Sequence, residues 1–155
     1  MYQPFGRGPW TIEELSEFYS DEMTNHPIVL FDGVCNLCNA SVNFLIRQDK
    51  KNVFRFATLQ SETGKKLLGT HHPPNYLNHS FILIDRGKSY EKSSAALKLV
   101  NHLPWYWKTF KIFWIIPPFI RNFVYDFIAR NRYRWFGRKD VCMVPSPSLK
   151  DKFLD

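Results

Sequence analysis

The sequence predicts an α/β protein in which a sheet and its covering helices form one domain. Short apolar runs, typical of buried strands, alternate along the chain with segments whose apolar residues recur at helical spacing. A length of 155 residues fits a single domain. A hydrophobic content of 45%, with 17% aromatic residues, supports a packed core rather than disorder. We divide the chain into a helical extension at 1–26, a core at 27–103, a helical cap at 104–147 and a tail at 148–155.

The N-terminal extension begins irregularly and then has the pattern of an acidic helix. Thr11 to Glu14 forms a capping box, in which the first and fourth residues satisfy each other's backbone N–H groups. Apolar residues then recur at helical spacing among acidic ones. We expect this helix to dock on the basic C-terminal segment. Met1 to Gly8 lacks the apolar run of a secretory signal, so we expect a cytoplasmic protein.

The core opens with the apolar run Ile28 to Phe31, which predicts a buried strand. Asp32 and Gly33 end this strand, since Asp favours turns and Gly tolerates backbone angles that other residues avoid. A helix follows, because apolar residues recur along one face at Cys38, Val42, Leu45 and Ile46. Cys35 and Cys38 therefore lie where a strand passes into a helix.

A second strand and a second helix come next. Val53 to Ala57 predicts the strand, which the right-handed crossover rule makes parallel to the first. Ser61 is expected to cap a helix that ends at Gly69. Thr70 to Asn78 then predicts a loop.

The core ends with a hairpin and a third helix. Phe81 to Ile84 predicts the third strand, and Asp85 to Lys88 a turn into the fourth. The helix after the hairpin is expected to be capped by Ser93 or Ser94 and to run through Val100. The resulting order of strand, helix, strand, helix, hairpin and helix is that of a thioredoxin-like sheet.

The helical cap is dense in aromatic residues, especially from Pro104 to Phe119. Pro117 and Pro118 predict the start of a helix that ends at Gly137. Its first turns are apolar on nearly every side, so we expect burial on more than one face and packing over the sheet. Tryptophans and basic residues in the same segment also suit a membrane surface, which leaves peripheral membrane contact as an alternative.

The two cysteines of the CxxC sequence have the features of a dithiol exchange site. Cys35 falls at the helix start, where unpaired N–H groups and the helix dipole favour a thiolate, the nucleophile in disulfide exchange. Cys38, one turn further on, belongs to the apolar stripe. We therefore expect an exposed attacking sulfur at Cys35 and a sheltered resolving sulfur at Cys38. Asp32 has two interpretations, a group that assists proton transfer or an ordinary turn or cap residue.

Two other interpretations of the cysteines stay open. A structural zinc site needs a fuller ligand set, and Cys142 with the pair His71 and His72 lacks the usual spacing. Inert buried thiols are the second alternative. Redox chemistry is favoured over both, with no metal and no organic cofactor. Cys142 itself is best interpreted as a spare buried thiol.

Asp32, Cys35 and Cys38 match the DxxCxxC signature of the DCC family, which comprises thiol-disulfide oxidoreductases of thioredoxin-like fold. The sequence resembles this family well beyond the motif, over about 27–147. The resemblance implies that Cys35 and Cys38 form the dithiol site. The further segments that look like family segments are Phe56–Ser61, Lys92–Ala96 and Ile128–Gly137.

The chain departs from ordinary thioredoxins at the position that faces the dithiol. Thioredoxins carry a cis-proline there, whereas this sequence has His79 and Ser80. We expect Ser80 to line the site through its backbone. Gly33, Asn36 and Leu37, which lie beside the cysteines, complete the predicted substrate-binding residues.

A net charge of +7 calls for a hypothesis about partners. Much of this charge lies late in the chain, where Arg130, Arg134 and Arg138 share one helical face. Aromatic residues embedded in the same helix indicate a packed element, which argues against nucleic-acid binding. A solvated surface that only maintains solubility is the alternative.

Taken together, the residues and the resemblance predict a thiol-disulfide oxidoreductase of the protein-disulfide reductase type. Cys35 attacks a substrate disulfide and Cys38 resolves the mixed disulfide. The expected partners are a disulfide in a protein or small molecule and a separate reducing partner. The alternative is a redox-inert adaptor that binds proteins through the basic, aromatic cap.

Overall fold

A computed structural model gives the fold and describes residues 20–21, 25–71, 81–141 and 146–154. Several predictions concern positions outside these ranges and stay predictions. They are the capping box at Thr11 to Glu14 and the docking of its helix, the predicted loop from His72 to Asn78, the alternative zinc ligands His72 and Cys142, and the predicted site residue Ser80.

Four short strands form a mixed sheet in the order β2-β1-β3-β4. The strands β1 and β2 are parallel, as predicted, while β3 pairs antiparallel with both β1 and β4. The predicted α/β class is confirmed, and the strand order is consistent with a thioredoxin-like domain. The strand bounds are β1 (Ile28–Phe31), β2 (Arg55–Thr58), β3 (Ile82–Asp85) and β4 (Lys88–Glu91).

The α-helices are α1 (Asn36–Gln48), α2 (Glu62–His71), α3 (Lys92–Leu99) and α4 (Pro118–Phe136). Shorter 3₁₀ helices occupy Val100–His102, Trp105–Ile115 and Pro147–Lys152. We call Trp105–Ile115 the aromatic arm. The predicted start of α4 after Pro117 and its end at Gly137 are both confirmed.

The capping predictions for α2 are correct at one end and wrong at the other. Ser61 Oγ accepts a hydrogen bond from the Gly64 N–H at 3.0 Å, so the predicted cap is confirmed. The predicted end at Gly69 is wrong, because α2 continues to His71. Gly69 does not adopt the positive φ with which glycine ends many helices.

The predicted cap of α3 is also wrong. The N-cap residue is Glu91, and it makes no side-chain capping hydrogen bond. Ser93 lies inside the helix, where its hydroxyl donates to Asn122 Oδ1 of α4 at 2.6 Å. The Ser93 hydroxyl therefore binds a residue of α4, which is distant in sequence, instead of capping α3.

Hydrophobic clusters lie on both faces of the sheet, because successive strand residues point to opposite sides. Val29 and Phe31 face the cluster that contains residues of α1 and α3. Ile28 and Leu30 face the other cluster, which contains Leu67 of α2. All four side chains of β1 are fully buried, so Asp32 and the two cysteines follow an inner strand of the sheet.

The predicted burial of the cap is wrong, since α4 turns its apolar residues outward. The buried residues of α4 are Arg121 and Arg132. Polar contacts with the core explain this orientation, because they fix the polar face of α4 inward. These contacts join Asp126 to Lys92 at 2.9 Å, Asn122 to Ser93 at 2.6 Å, and the Tyr125 hydroxyl to the Phe81 N–H at 3.0 Å.

By length and composition, no single helix in the described ranges could cross a membrane. The aromatic arm and α4 reach the necessary hydropathy only as a pair, and they meet at a bend of 112°. Extended backbone at Ile116 and Pro117 makes this bend. Proline accounts for it locally, since it lacks an N–H donor and disfavours helix in the residue before it.

Candidate active site

The cysteine loop joins the end of β1 to the start of α1. Asp32 lies directly after β1, and its carbonyl accepts a hydrogen bond from the Cys35 N–H at 3.3 Å. Cys35 is the N-cap of α1, with an extended backbone. Its sulfur accepts a hydrogen bond from the Cys38 N–H at 3.4 Å. Both cysteines are free thiols, and the predicted position of Cys35 at the helix start is confirmed.

The predicted exposure of the two cysteines is wrong. Cys35 is fully buried, whereas Cys38 is partly exposed. The chain segment that follows α4 covers Cys35: Arg138 forms a β-bridge with Cys35, and the Lys139 N–H donates to the Val34 carbonyl at 2.8 Å. We call Phe136–Lys139 the cover segment. Helical spacing cannot reveal a contact with residues about 100 positions later in the chain.

A cavity of about 660 Å³ lies between the cap and the core, and Cys38 forms part of its wall. Most of the remaining wall is apolar and comes from α1, α3, the aromatic arm and α4. Leu37, predicted to bind substrate, also lines this cavity. The polar side-chain groups in the wall besides Cys38 belong to Ser41, Trp107, Tyr125 and Arg132. An apolar group of a bound molecule could therefore reach Cys38 from the cavity.

The surroundings of Cys38 favour its protonated thiol. Burial, the hydrogen bond with Cys35 and the charge of Cys35 together raise the pKa of Cys38 from 9.0 to about 12. The positive charge of Arg132 acts in the opposite direction and lowers the pKa of Cys38. Cys38 therefore holds its proton at neutral pH, although it is the cysteine that faces the cavity.

Asp32 is buried and tightly held by residues distant in sequence. Its Oδ2 accepts hydrogen bonds from the Arg132 guanidinium at 3.1 Å and from the Tyr133 hydroxyl. Its Oδ1 accepts from the Gln60 side chain at 2.8 Å and from the Val34 N–H at 3.2 Å. The last contact is the turn role expected of Asp32. The other three tie the carboxylate to the turn after β2 and to α4.

Sequence reasoning missed Arg132 and Tyr133 as members of this site. It singled out the arginine row at 130, 134 and 138 instead, all three of which are exposed. Arg132 lies on the opposite side of α4, turned toward Asp32 and the thiols. The resemblance of Ile128–Gly137 to a family segment was the signal that could have found both residues.

The other predicted site residues lie in different parts of the site. Gly33 is buried and donates its N–H to Gln60 Oε1 at 3.1 Å. Asn36 does not point toward the cavity, because its side-chain amide donates to the Phe136 carbonyl of the cover segment at 2.9 Å. Ser80 lies outside the described residues, but its neighbour Phe81 lines the cavity. Leu37 and Phe81 therefore lie beside Cys38, and Asn36 lies beside Cys35.

No group of three or more His, Cys, Asp or Glu side chains that could hold a metal occurs among the described residues. The thiols and the Asp32–Arg132 pair thus form the chemically distinctive cluster at the end of β1. Such a cluster offers a thiolate position at a helix N-terminus, a neighbouring thiol and a fixed cation.

Comparison with known proteins gives a consistent family relationship. The model of the DCC1-like thiol-disulfide oxidoreductase family matches residues 29–138. The uncharacterized protein YuxK of Bacillus subtilis is 47% identical over 135 residues, which cover 87% of this chain and 98% of that protein. The chloroplastic DCC family protein At1g52590 of Arabidopsis thaliana is 41% identical over 133 residues, covering 84% and 76%. No solved structure matches the chain significantly. With the cysteine loop, its buried carboxylate and the matched segment all in agreement, the chain belongs to the DCC1-like thiol-disulfide oxidoreductase family.

Proposed function

We propose that the protein reduces disulfides, with Cys35 as the attacking thiolate and Cys38 as the resolving thiol. The difference between the two sulfurs is the observation that carries this assignment. Cys35 accepts the Cys38 N–H at the start of α1, which stabilises negative charge on Cys35. The raised pKa of Cys38, about 12, keeps the second sulfur protonated. Attack requires a thiolate, so we assign it to Cys35, the sulfur that accepts this N–H at the helix start, even though the cover segment shields it at rest.

Attack by Cys35 begins with displacement of the cover segment. The Cys35 thiolate then forms a bond to one sulfur of the substrate, and the substrate S–S bond breaks. The departing thiolate takes up a proton. The product of this step is a mixed disulfide between Cys35 and the substrate.

Resolution becomes easier once the mixed disulfide exists. Cys35 no longer carries a charge, so one cause of the raised pKa of Cys38 disappears. The charge of Arg132, which lowers the pKa of Cys38, remains. Cys38 loses its proton and attacks Cys35, which releases the second substrate thiol and leaves a Cys35–Cys38 disulfide. A separate dithiol partner reduces this disulfide again.

Asp32 acts in this scheme through Arg132. Its carboxylate holds the guanidinium at 3.1 Å, and this contact keeps the cation beside the thiols. The carboxylate already accepts hydrogen bonds from Arg132, Tyr133 and Gln60, so we favour a positioning role for Asp32 over direct proton transfer.

The reductase direction is supported by the cysteine content rather than by the site itself. Three cysteines in 155 residues are few for a disulfide-stabilised secreted protein. We therefore place the protein in a reducing compartment, the cytoplasm, where thiol pools regenerate the dithiol. The alternative of a redox-inert adaptor is weaker, because it leaves the paired thiols and the fixed cation without a role.

Reduction of insulin with dithiothreitol as electron donor tests the proposal. Cys35→Ser should abolish turnover above the uncatalysed rate. Cys38→Ser should also abolish turnover but should retain substrate as a mixed disulfide on Cys35, visible by mass spectrometry. Cys142→Ser is the matched control and should keep the wild-type rate. Wild-type rates in both loop variants would contradict the reductase function, and an adduct formed through Cys38 alone would reverse the two roles.

A further inference from the structure

Among the described residues, most of the exposed large apolar side chains lie on the cap, along the aromatic arm and α4. Trp105 is 78% exposed, Ile115 81%, Phe119 73% and Phe123 74%. Large apolar side chains on a soluble monomer are normally exposed singly, whereas these form a continuous group. We call this group the cap face, and it comprises Trp105, Ile112, Ile115, Phe119, Ile120, Phe123, Val124 and Phe127.

The geometry of α4 makes the cap face continuous. Phe119, Phe123 and Phe127 recur at i, i+4 and i+8, so they form one stripe along the helix. Ile120 and Val124 lie in an adjacent stripe with the same spacing. The aromatic arm, none of whose residues is buried, extends this surface beyond the 112° bend. An apolar surface that extends over two joined elements is typical of an interaction site.

The charge around the cap face is almost entirely positive. Residues 104–139 contain eight basic residues, of which Arg121 and Arg132 are buried, and one acidic residue. The acidic residue, Asp126, is paired with Lys92 at 2.9 Å. Lys108 and Lys111 are exposed on the aromatic arm, and Arg130 and Arg134 are exposed on the later turns of α4. The apolar face is therefore bordered by cations.

We propose that the cap face binds the surface of an anionic lipid bilayer. The combination of exposed Trp, Phe and Ile side chains with flanking Lys and Arg suits the boundary between lipid headgroups and acyl chains. Anionic lipids complement the positive border. The bend and the arginines of α4 fit a segment that lies in this boundary rather than one that crosses the bilayer.

Membrane binding in this orientation would bring the active-site cavity close to the lipid. Phe110 and Ile128 line the cavity and are also partly exposed beside the cap face. The membrane proposal itself rests on the exposed cap and its charge, and it does not depend on disulfide exchange.

Vesicle sedimentation tests the proposal on the full-length protein. We expect binding to vesicles of equimolar phosphatidylglycerol and phosphatidylcholine at low salt, and much weaker binding to pure phosphatidylcholine or at high salt. The double variant Phe119→Ser/Phe123→Ser removes apolar area without a change in charge and should weaken binding by roughly tenfold or more. Lys108→Glu/Lys111→Glu should weaken binding to anionic vesicles by at least about tenfold.

The matched control is Lys65→Glu/Lys66→Glu, which makes the same charge change on α2, an exposed helix on the other face of the sheet. This variant should bind almost as well as wild type, and circular dichroism should show the same fold in all variants. Two results would overturn the proposal. One is absence of binding to anionic vesicles at low salt, as expected if a second copy or the N-terminal extension covers the cap face. The other is equal loss of binding in the α2 control.

Discussion

The two sulfurs of the active site differ because one helical turn separates them. Cys35 sits at the N-terminus of α1 and is covered by the cover segment, whereas Cys38 lies in the wall of an apolar cavity. Burial and the neighbouring sulfur raise the pKa of Cys38 to about 12. The surroundings of Cys38 therefore favour its thiol, and packing decides which of the two sulfurs is accessible.

The raised pKa of Cys38 predicts a distinctive pH dependence of alkylation. Since the thiolate is the species that reacts with iodoacetamide, Cys38 in the native protein should react slowly at neutral pH and faster only as pH rises toward about 12. In Cys35→Ala, the loss of the neighbouring sulfur should lower this midpoint. Burial is the largest cause of the shift, so the midpoint should stay above the ordinary value of 9.0. Mass spectrometry of the labelled peptide measures the rate.

Protein unfolded in denaturant serves as the control, because its Cys38 should titrate near 9.0. A native midpoint at or below that value would show that the surroundings of Cys38 do not favour its thiol.

Local spacing was enough to predict part of this site. Asp32, Cys35 and Cys38 follow a strand within a few residues, so the sequence pattern brings them together. Arg132 and Tyr133 could not be found in the same way, because a contact about 100 residues away depends on how α4 packs. The predicted exposure of the cysteines was wrong for the same reason, because the cover segment lies about 100 residues after Cys35 in the chain.

At the scale of elements, α2 shows how close the packing is beside β2. Gly64 is buried, and a Cβ at this position would lie within 2.9 Å of the Thr58 carbonyl carbon and closer still to its oxygen. Gly69, in the last turns of the same helix, has nothing within 4 Å of a Cβ position. Packing against β2 therefore requires a glycine at position 64, whereas position 69 has room for a larger side chain.

Alanine substitution should separate these two glycines. Gly64→Ala should lower the free energy of unfolding by about 2 kcal/mol or more, because backbone atoms of β2 must move to admit the methyl group. Gly69→Ala, the matched control, should leave stability unchanged or raise it by up to about 1 kcal/mol, since Ala is the better helix former. Urea denaturation measures both values. Equal effects of the two substitutions would contradict the close contact at Gly64.

The elements themselves were predictable where one signal dominates. The apolar runs of β1 and β3 and the proline start of α4 have local causes, and these elements form as expected. The outward orientation of α4 was not predictable, because apolar residues on several sides of a helix do not reveal which side meets the core. Contacts of Asn122, Tyr125 and Asp126 with the core determine that choice.

For the whole molecule, the last described residues close the edge of the sheet. Phe153 is buried against Phe31 and Phe56, with ring centroids 6.3 Å and 5.7 Å away. It forms a β-bridge with Phe56, and the Leu154 N–H donates to the Phe56 carbonyl at 2.8 Å. β2 is an edge strand, so these contacts occupy backbone groups that would otherwise be open to another chain.

This contact predicts that the C-terminal residues stabilise the whole domain. Phe153→Ala should reduce the free energy of unfolding by about 3 kcal/mol, through lost burial and the cavity that remains. Phe119→Ala is the matched control, and its effect should stay within about 0.5 kcal/mol because Phe119 is exposed. Thermal unfolding followed by circular dichroism gives both values. A negligible effect at Phe153 would mean that the last residues do not contribute to the core.

The cover segment also has a consequence for the chemical survival of the enzyme. A thiolate open to solvent is oxidised by peroxide through sulfenic acid to forms that thiols cannot restore. Arg138 and its neighbours shield Cys35 behind backbone contacts, and these contacts must open before an oxidant can reach the sulfur. We therefore expect the resting protein to resist oxidation of Cys35 beyond sulfenic acid. The cover segment would then slow the access of substrates to this sulfur and also protect it from irreversible damage.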